Sequence, residues 1–237
     1  MSGREAILGA VRRSLKRAPE DGAEAAAAAR IEAKARGPIP ARAQLDRAGQ
    51  LDLFQTMAEE LAATVARVGG TEDVPGAVAD YLKAHNLPQS LRMAPEAELE
   101  ALPWDSAPLI KIERGVAQAS DEVSFTGAFA AVAETGTLML HSGAAQPTTL
   151  NFLPDTHIVM LKASQVVGPY EEAWDLIRAK FGPGRLPRTV NFITGPSRTA
   201  DIEQTIQLGA HGPRRLHIVI VEDGEGQGGG DSQADAP

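Results

Sequence analysis

The spacing of apolar residues divides the chain near residue 48. Ahead of that point, Ile7, Leu8, Val11 and Leu15 recur at helical spacing, with Arg4, Arg12, Arg13, Lys16 and Arg17 mostly on other faces. An alanine run at residues 25–29 has high helix propensity, and Gly37-Pro38-Ile39-Pro40 ends it. The pattern predicts a helical N-terminal extension over residues 1–48. Its basic helix is either a membrane-surface or partner element, or a solvated cationic face. Phe54, Met57, Ala58 and Leu61 then follow the i, i+3, i+4, i+7 spacing of an amphipathic helix, with Gly69-Gly70 closing the unit. A second helix is expected from Val74, where Pro75 is tolerated in the first turn and Ala77, Val78, Tyr81 and Leu82 share a face.

Short strands are expected at residues 90–93 and 109–112, with Pro103-Trp104-Asp105 as loop between them. Beyond Val123 the pattern alternates. Apolar runs at residues 123–126, 137–141, 157–161, 189–194 and 216–221 read as strands. A helix carrying Ala173, Trp174, Ile177 and Phe181 lies among them, and a shorter one carries Ile202 and Ile206, with Gly209 as its left-handed cap. Near-continuous apolar strands interleaved with helices predict an α/β fold: a mixed, mostly parallel sheet with helices on both faces. This α/β domain spans residues 49–223. Residues 224–237 are Gly-rich and acidic and read as a disordered tail.

Composition narrows the chemistry. The chain has 237 residues and no cysteine, so it offers no disulfide, no thiol nucleophile and no thiolate for zinc or an iron–sulfur cluster. A net charge of −8 argues against sequence-independent nucleic-acid binding, which rests on neutralising phosphates. No apolar run approaches the length that crosses a bilayer, and no apolar stretch follows the N-terminal charges as a secretory signal requires. A cytoplasmic protein without a membrane span is the expectation. The five histidines show no metal-ligand spacing, so no metal site is expected.

Candidate site residues gather where apolar runs end in small polar residues, the positions at which α/β proteins hold ligands. One such run is Glu134-Thr135-Gly136-Thr137 leading to His141; the other is Gly195-Pro196-Ser197-Arg198-Thr199-Ala200-Asp201, followed by His211-Gly212. Glu134 is a candidate nucleophile, general base or hydroxyl ligand, or a surface carboxylate ending the segment 128–133. His141 is a candidate acid or base, since an imidazole titrates near neutrality. The Gly195–Thr199 segment has part of a serine nucleophile elbow, but Thr199 stands where that turn needs glycine. Anion binding fits better: backbone N–H groups at a helix start, the Ser197 and Thr199 hydroxyls and the Arg198 charge all favour it. Asp201 and Glu203 oppose it electrostatically. Equally, Ser197 or Thr199 is simply a helix N-cap. Gly224-Glu225-Gly226-Gln227-Gly228-Gly229 matches a dinucleotide fingerprint formally, but no helix pattern follows it.

Taken together, Ala133-Glu134-Thr135-Gly136-Thr137, Leu153-Pro154-Asp155-Thr156-His157-Ile158, the run from Gly195 to Glu203, and Gly209-Ala210-His211-Gly212-Pro213 resemble the lactate utilisation protein C family, the LUD-domain group. The resemblance implies a fold similar to the ribose-phosphate isomerase and CoA-transferase superfamily. It also implies a non-redox part in oxidising L-lactate to pyruvate, beside partner subunits that carry iron–sulfur clusters. No cofactor is then expected in this chain. By the same analogy Glu134 stands in a Glu-x-Gly run similar to that of the catalytic glutamate of CoA-transferases, here with Thr135 in the middle. Thr135, Gly136, Thr137, Gly195, Ser197, Thr199, Asp201, His211 and Gly212 are the expected ligand-binding residues, with a small anion as ligand. The alternatives are a stand-alone enzyme of the CoA-transferase or sugar-phosphate isomerase kind, and a binding or assembly module.

Overall fold

The computed structural model describes residues 2–15, 22–199, 207–209 and 211–223. It divides into two units, Met1–Pro38 and Ile39–Pro237. In the first, helix α1 (Gly3–Ser14) opens on a capping box. Ser2 Oγ accepts from the Glu5 N–H at 3.3 Å and a Glu5 carboxylate oxygen accepts from the Ser2 N–H at 2.7 Å. Its Ile7, Leu8 and Val11 are exposed. Helix α2 (Ala23–Ala33) also buries nothing.

The second unit holds helices α3 (Arg47–Glu60), α4 (Val74–Ala84), α5 (Ala97–Glu100) and α6 (Tyr170–Phe181). Its first six strands are β1 (Thr64–Val68), β2 (Ser90–Met93), β3 (Lys111–Arg114), β4 (Val123–Gly127), β5 (Ala130–Val132) and β6 (Thr137–His141). The rest are β7 (Thr156–Lys162), β8 (Val166–Val167), β9 (Val190–Ile193), β10 (Arg198–Thr199), β11 (Gln207–Leu208) and β12 (Arg215–Val221). The main sheet has the order β1-β12-β7-β4-β2-β3 and is parallel throughout. A second sheet, β8-β5-β6-β9, is parallel at β5–β8 and antiparallel at β5–β6 and β6–β9. The mixed, mostly parallel α/β architecture is thus present, with its parallel and antiparallel pairings largely segregated into two sheets.

Side-chain alternation sets the layers. On β7 and β12, Ile158, Met160, Val219 and Val221 face a core with Val74, Val78 and Leu82 of α4. Their neighbours Val159, Leu161, Ile218 and Ile220 face a second core with Phe54 and Ala58 of α3 and Leu138 and Leu140 of β6. The other face of the small sheet, through Val132 and Met139, packs on Ala173 and Ile177 of α6. Each fully buried Ile, Leu or Phe contributes roughly 1.5–3 kcal/mol.

Several elements differ from the pattern. The body begins at Ile39, because Ala43 is buried and its carbonyl lies against Gly168. Asp46 caps α3 by accepting from the Gly49 N–H at 2.9 Å, so the helix starts ahead of residue 49. That helix stops at Leu61, and the residues before Gly69-Gly70 form edge strand β1. Leu109 is exposed, and the strand expected there is shifted to β3. Part of the alanine-rich 128–133 segment is strand β5. Arg198–Thr199 pairs as a strand with Gln207–Leu208, so Thr199 does not start a helix and Gly209 follows a strand. The helix expected around Ile202 and Ile206, the candidate Asp201, and the 224–237 tail lie outside the described residues.

Two histidines are buried in the main sheet. His217 stacks on Tyr81 with ring centroids 3.9 Å apart, and its Nδ1 is 2.8 Å from Thr64 Oγ1. His157 Nε2 is 2.8 Å from Thr126 Oγ1. Burial pulls His217 down to about 4 and His157 down to about 3. Both therefore stay neutral in the fold while the unfolded chain protonates them near 6.5. Their contribution is complete above pH 6.5 and is lost as pH falls toward 4, by up to about 1.4 kcal/mol per pH unit for each ring. Urea unfolding between pH 7 and 4.5 is expected to show this fall, and His217→Gln to make it shallower.

Candidate functional site

Two cavities flank the β4–β7 pair, and a single turn forms part of the wall of both. The turn Thr148–Asn151 is held against β4 by the Ser124 hydroxyl, which donates to the Leu150 carbonyl at 2.6 Å. The Ala117 N–H donates to Thr149 Oγ1 at 3.1 Å and ties the turn's other side. Asn151, 5% exposed, is thereby placed on both cavities, and among the described residues its amide makes no hydrogen bond. Thr126 lines one cavity and His157 the other, joined by their 2.8 Å contact.

The larger cavity, about 470 Å³, lies where β9 ends and β7 and β12 begin. Gly195, Ser197, Arg198, His211 and Gly212 line it, with Phe152 at its wall. Ser197 ties the two loops together: its N–H donates to the Pro213 carbonyl at 2.8 Å, and its Oγ accepts from the His211 N–H at 3.3 Å. The Gly209 N–H donates to the Ser197 carbonyl at 2.9 Å. Gly195 has φ +72, and a Cβ there would stand 2.5 Å from the Leu61 carbonyl oxygen. Arg198 Nη2 donates to that same carbonyl, placing its cation at the C-terminus of α3, where a positive charge is favoured.

The smaller cavity, about 140 Å³, gathers residues at the carboxyl ends of β2, β4 and β6. Glu96, just after β2, accepts from the Gly127 N–H and from Gln146 Nε2, both at 3.1 Å. Burial pushes its carboxyl above the usual range, against the pull of those two donors. His141, 7% exposed, meets Phe129 and Phe181 edge-on at 5.3 and 5.2 Å. Its Nδ1 lies 3.2 Å from the Ser142 carbonyl, which only accepts, so Nδ1 carries the proton and Nε2 the lone pair. Burial draws the ring below its ordinary value, and Lys180 adds to the effect. Lys180 sits at the wall with Nζ 5.1 Å from the Phe129 ring centroid.

Glu134 lines neither cavity. It is buried in the turn between β5 and β6, where one carboxylate oxygen accepts from the Tyr170 N–H at 3.4 Å and the other is buried without a partner. The next residues form a hydroxyl cluster. Thr137 Oγ1 lies 2.7 Å from Thr135 Oγ1, 3.0 Å from the Tyr170 hydroxyl and 2.8 Å from Thr194 Oγ1. Thr194 lines the larger cavity, so the cluster reaches its wall. Gly136 has φ +62 and backs onto α3, where a Cβ would meet the Ala58 nitrogen and stand 2.6 Å from the Met57 carbonyl carbon.

The sequence candidates thus fall in three places. Gly195, Ser197, His211 and Gly212 come together at the larger cavity; His141 lines the smaller; Glu134, Thr135, Gly136 and Thr137 form the turn beside α3. Thr199 is in β10. Glu96, Gln146, Asn151 and Lys180 were not singled out in the sequence. The signal for Glu96 was its place after strand β2, in the half of the chain with fewer glycines and histidines at strand ends. Among the described residues, no three His, Asp or Glu side chains are grouped to hold a metal ion, and no helix is long and apolar enough to cross a membrane.

A parallel α/β core with a covering mixed sheet and cavities at its strand ends defines the class. Residues 51–221 match the LUD domain, and the chain belongs to that family. A protein named lactate utilization protein C from Deinococcus radiodurans is 33% identical over 194 residues, 78% of this chain and 85% of that protein. The namesake from Geobacillus sp. (strain WCH70) is 34% identical over 130 residues, 54% of this chain and 53% of that protein. The matches thus span about half the length of the first curated relatives. A crystal structure of a DUF162 family protein from Deinococcus radiodurans superposes with TM-score 0.58 at 27% identity, covering 75% of this chain and 99% of that one.

The turn after Glu134 can be tested by stability alone. Gly136→Ala is expected to destabilise the protein by at least about 2 kcal/mol, from the left-handed φ and the collision with α3. Gly76→Ala, in α4 where an added Cβ meets nothing within 4 Å, is expected to stabilise by up to about 1 kcal/mol. Paired urea melts read both.

Proposed function

We propose that this chain is a non-redox component of an L-lactate utilisation system, acting beside partner subunits that hold iron–sulfur clusters. The observation that carries the reading is the 33% identity across 78% of the chain to a protein named lactate utilization protein C, within a family match over residues 51–221. The absence of cysteine supports the division of labour, since cluster ligation depends on thiolates that only a partner would supply. The loops at the larger cavity support a small anionic ligand there: the Ser197 hydroxyl, the Arg198 charge and His211 border it. Asp201 remains part of this proposed site by sequence. A stand-alone transferase built on Glu134 is less well supported, because that carboxylate is buried outside both cavities.

Deleting the gene is expected to abolish growth on L-lactate as sole carbon source, with growth on pyruvate unchanged and the iron–sulfur subunits still present by immunoblot. Normal growth on lactate would reject the reading. Restoring the gene with Ser197→Ala and His211→Ala is expected to leave growth slower than the wild-type gene does, if the larger cavity serves the function.

A further inference from the structure

The smaller cavity has a composition that selects its occupant. Lys180 is the only cation among its lining residues, and two carboxylates, Glu96 and Glu98, border it. Glu98 is already paired with Lys162 at 2.5 Å, whereas among the described residues no carboxylate pairs with Lys180. One unpaired cation beside a buried acidic group suits a monoanion and disfavours a phosphate dianion. Three further polar groups are presented. The Asn151 amide is nine-tenths buried and, among the described residues, unpartnered. Gln146 is fixed by its bond to Glu96. His141 lines the cavity, and among the described residues its Nε2 makes no hydrogen bond. Phe129, Leu140 and Ala128 supply an apolar wall. A cavity of about 150 Å³ holds a molecule of about six non-hydrogen atoms, the size of benzene. A three-carbon hydroxy acid has the same count.

We propose that this cavity binds a small 2-hydroxy monocarboxylate, with its carboxylate on Lys180 and Asn151, its hydroxyl donating to His141 Nε2 or Glu96, and its alkyl group against Phe129 and Leu140. The choice of L-lactate as probe rests on the lactate reading above; the site itself rests on the cavity's geometry. The proton on Nδ1, fixed by the Ser142 carbonyl, is what makes Nε2 an acceptor. A 2-oxo acid brings no hydroxyl proton and leaves His141 Nε2 unpaired, so the site discriminates against it. Glu96 is itself held by the Gly127 N–H and Gln146, which orients its carboxylate before the ligand arrives.

Isothermal titration of the purified full chain with L-lactate, pyruvate and acetate tests this. L-lactate is expected to bind saturably, about tenfold or more tightly than pyruvate or acetate. Lys180→Met is expected to weaken it at least about tenfold, while Lys83→Met, on the exposed surface of α4, leaves it unchanged. In a long-range imidazole NMR spectrum of the wild-type chain, L-lactate is expected to shift the His141 Nε2 resonance, a readout that needs no variant to fold. Binding of L-lactate that survives Lys180→Met but is lost in Ser197→Ala would overturn the proposal by placing the acid in the larger cavity. Absence of binding to the wild-type chain would overturn it as well. If deletion nevertheless abolishes growth on lactate, only this site falls and the functional reading stands.

Discussion

Two strands, β7 and β12, govern the rest of the fold. Every residue from Ile158 to Leu161 and from Leu216 to Val221 is buried, so neither face of the main sheet's centre can meet water. A parallel ladder of this kind is stable only when both faces are covered. Helix α4 covers one. The other is closed by α3 and the four-stranded sheet, which uses Leu138 and Leu140 for the main core and Val132 and Met139 for α6. The small sheet is therefore a lid on the large one, and its own outer face needs α6 in turn.

The cavities follow from that stacking. Strand ends of both sheets border each cavity, and the loops there carry polar groups. At one edge the gap is bordered by Gly195, Ser197, His211 and Gly212; at the other by Glu96, His141 and Lys180. Both include groups that low polarity keeps neutral or pushes toward it: His157 and His141 by burial, Glu96 by burial against its two donors. Such groups titrate away from their solution values because charge is costly there.

Legibility in the sequence tracked burial. The β7 and β12 runs are continuous in apolar β-branched and aliphatic residues, so both strands, and the parallel α/β class with them, could be read directly. Edge strand β1 was hidden because Thr64 and Arg67 face solvent and break the apolar run. Strand β5 was hidden because alanine carries little strand preference, and it is a strand only because β6 and β8 pair with it. The β10–β11 pair replaces the expected helix start at Thr199 through backbone bonds that no residue type announces. For the site, the residue types that mark strand ends were visible, but not which cavity each would reach. Glu134 and His141 are seven residues apart, yet one sits beneath α3 and the other opens on a cavity, because strand β6 runs between them.

Asn151 makes the two hollows neighbours. It occupies part of the partition between them, and beside it the Thr126–His157 contact runs from one chamber to the other. A carboxamide presents an oxygen on one side and a nitrogen on the other, and rotating it by half a turn exchanges the two. The wall between the two cavities is thus shared, so a substitution at this one position alters both at once.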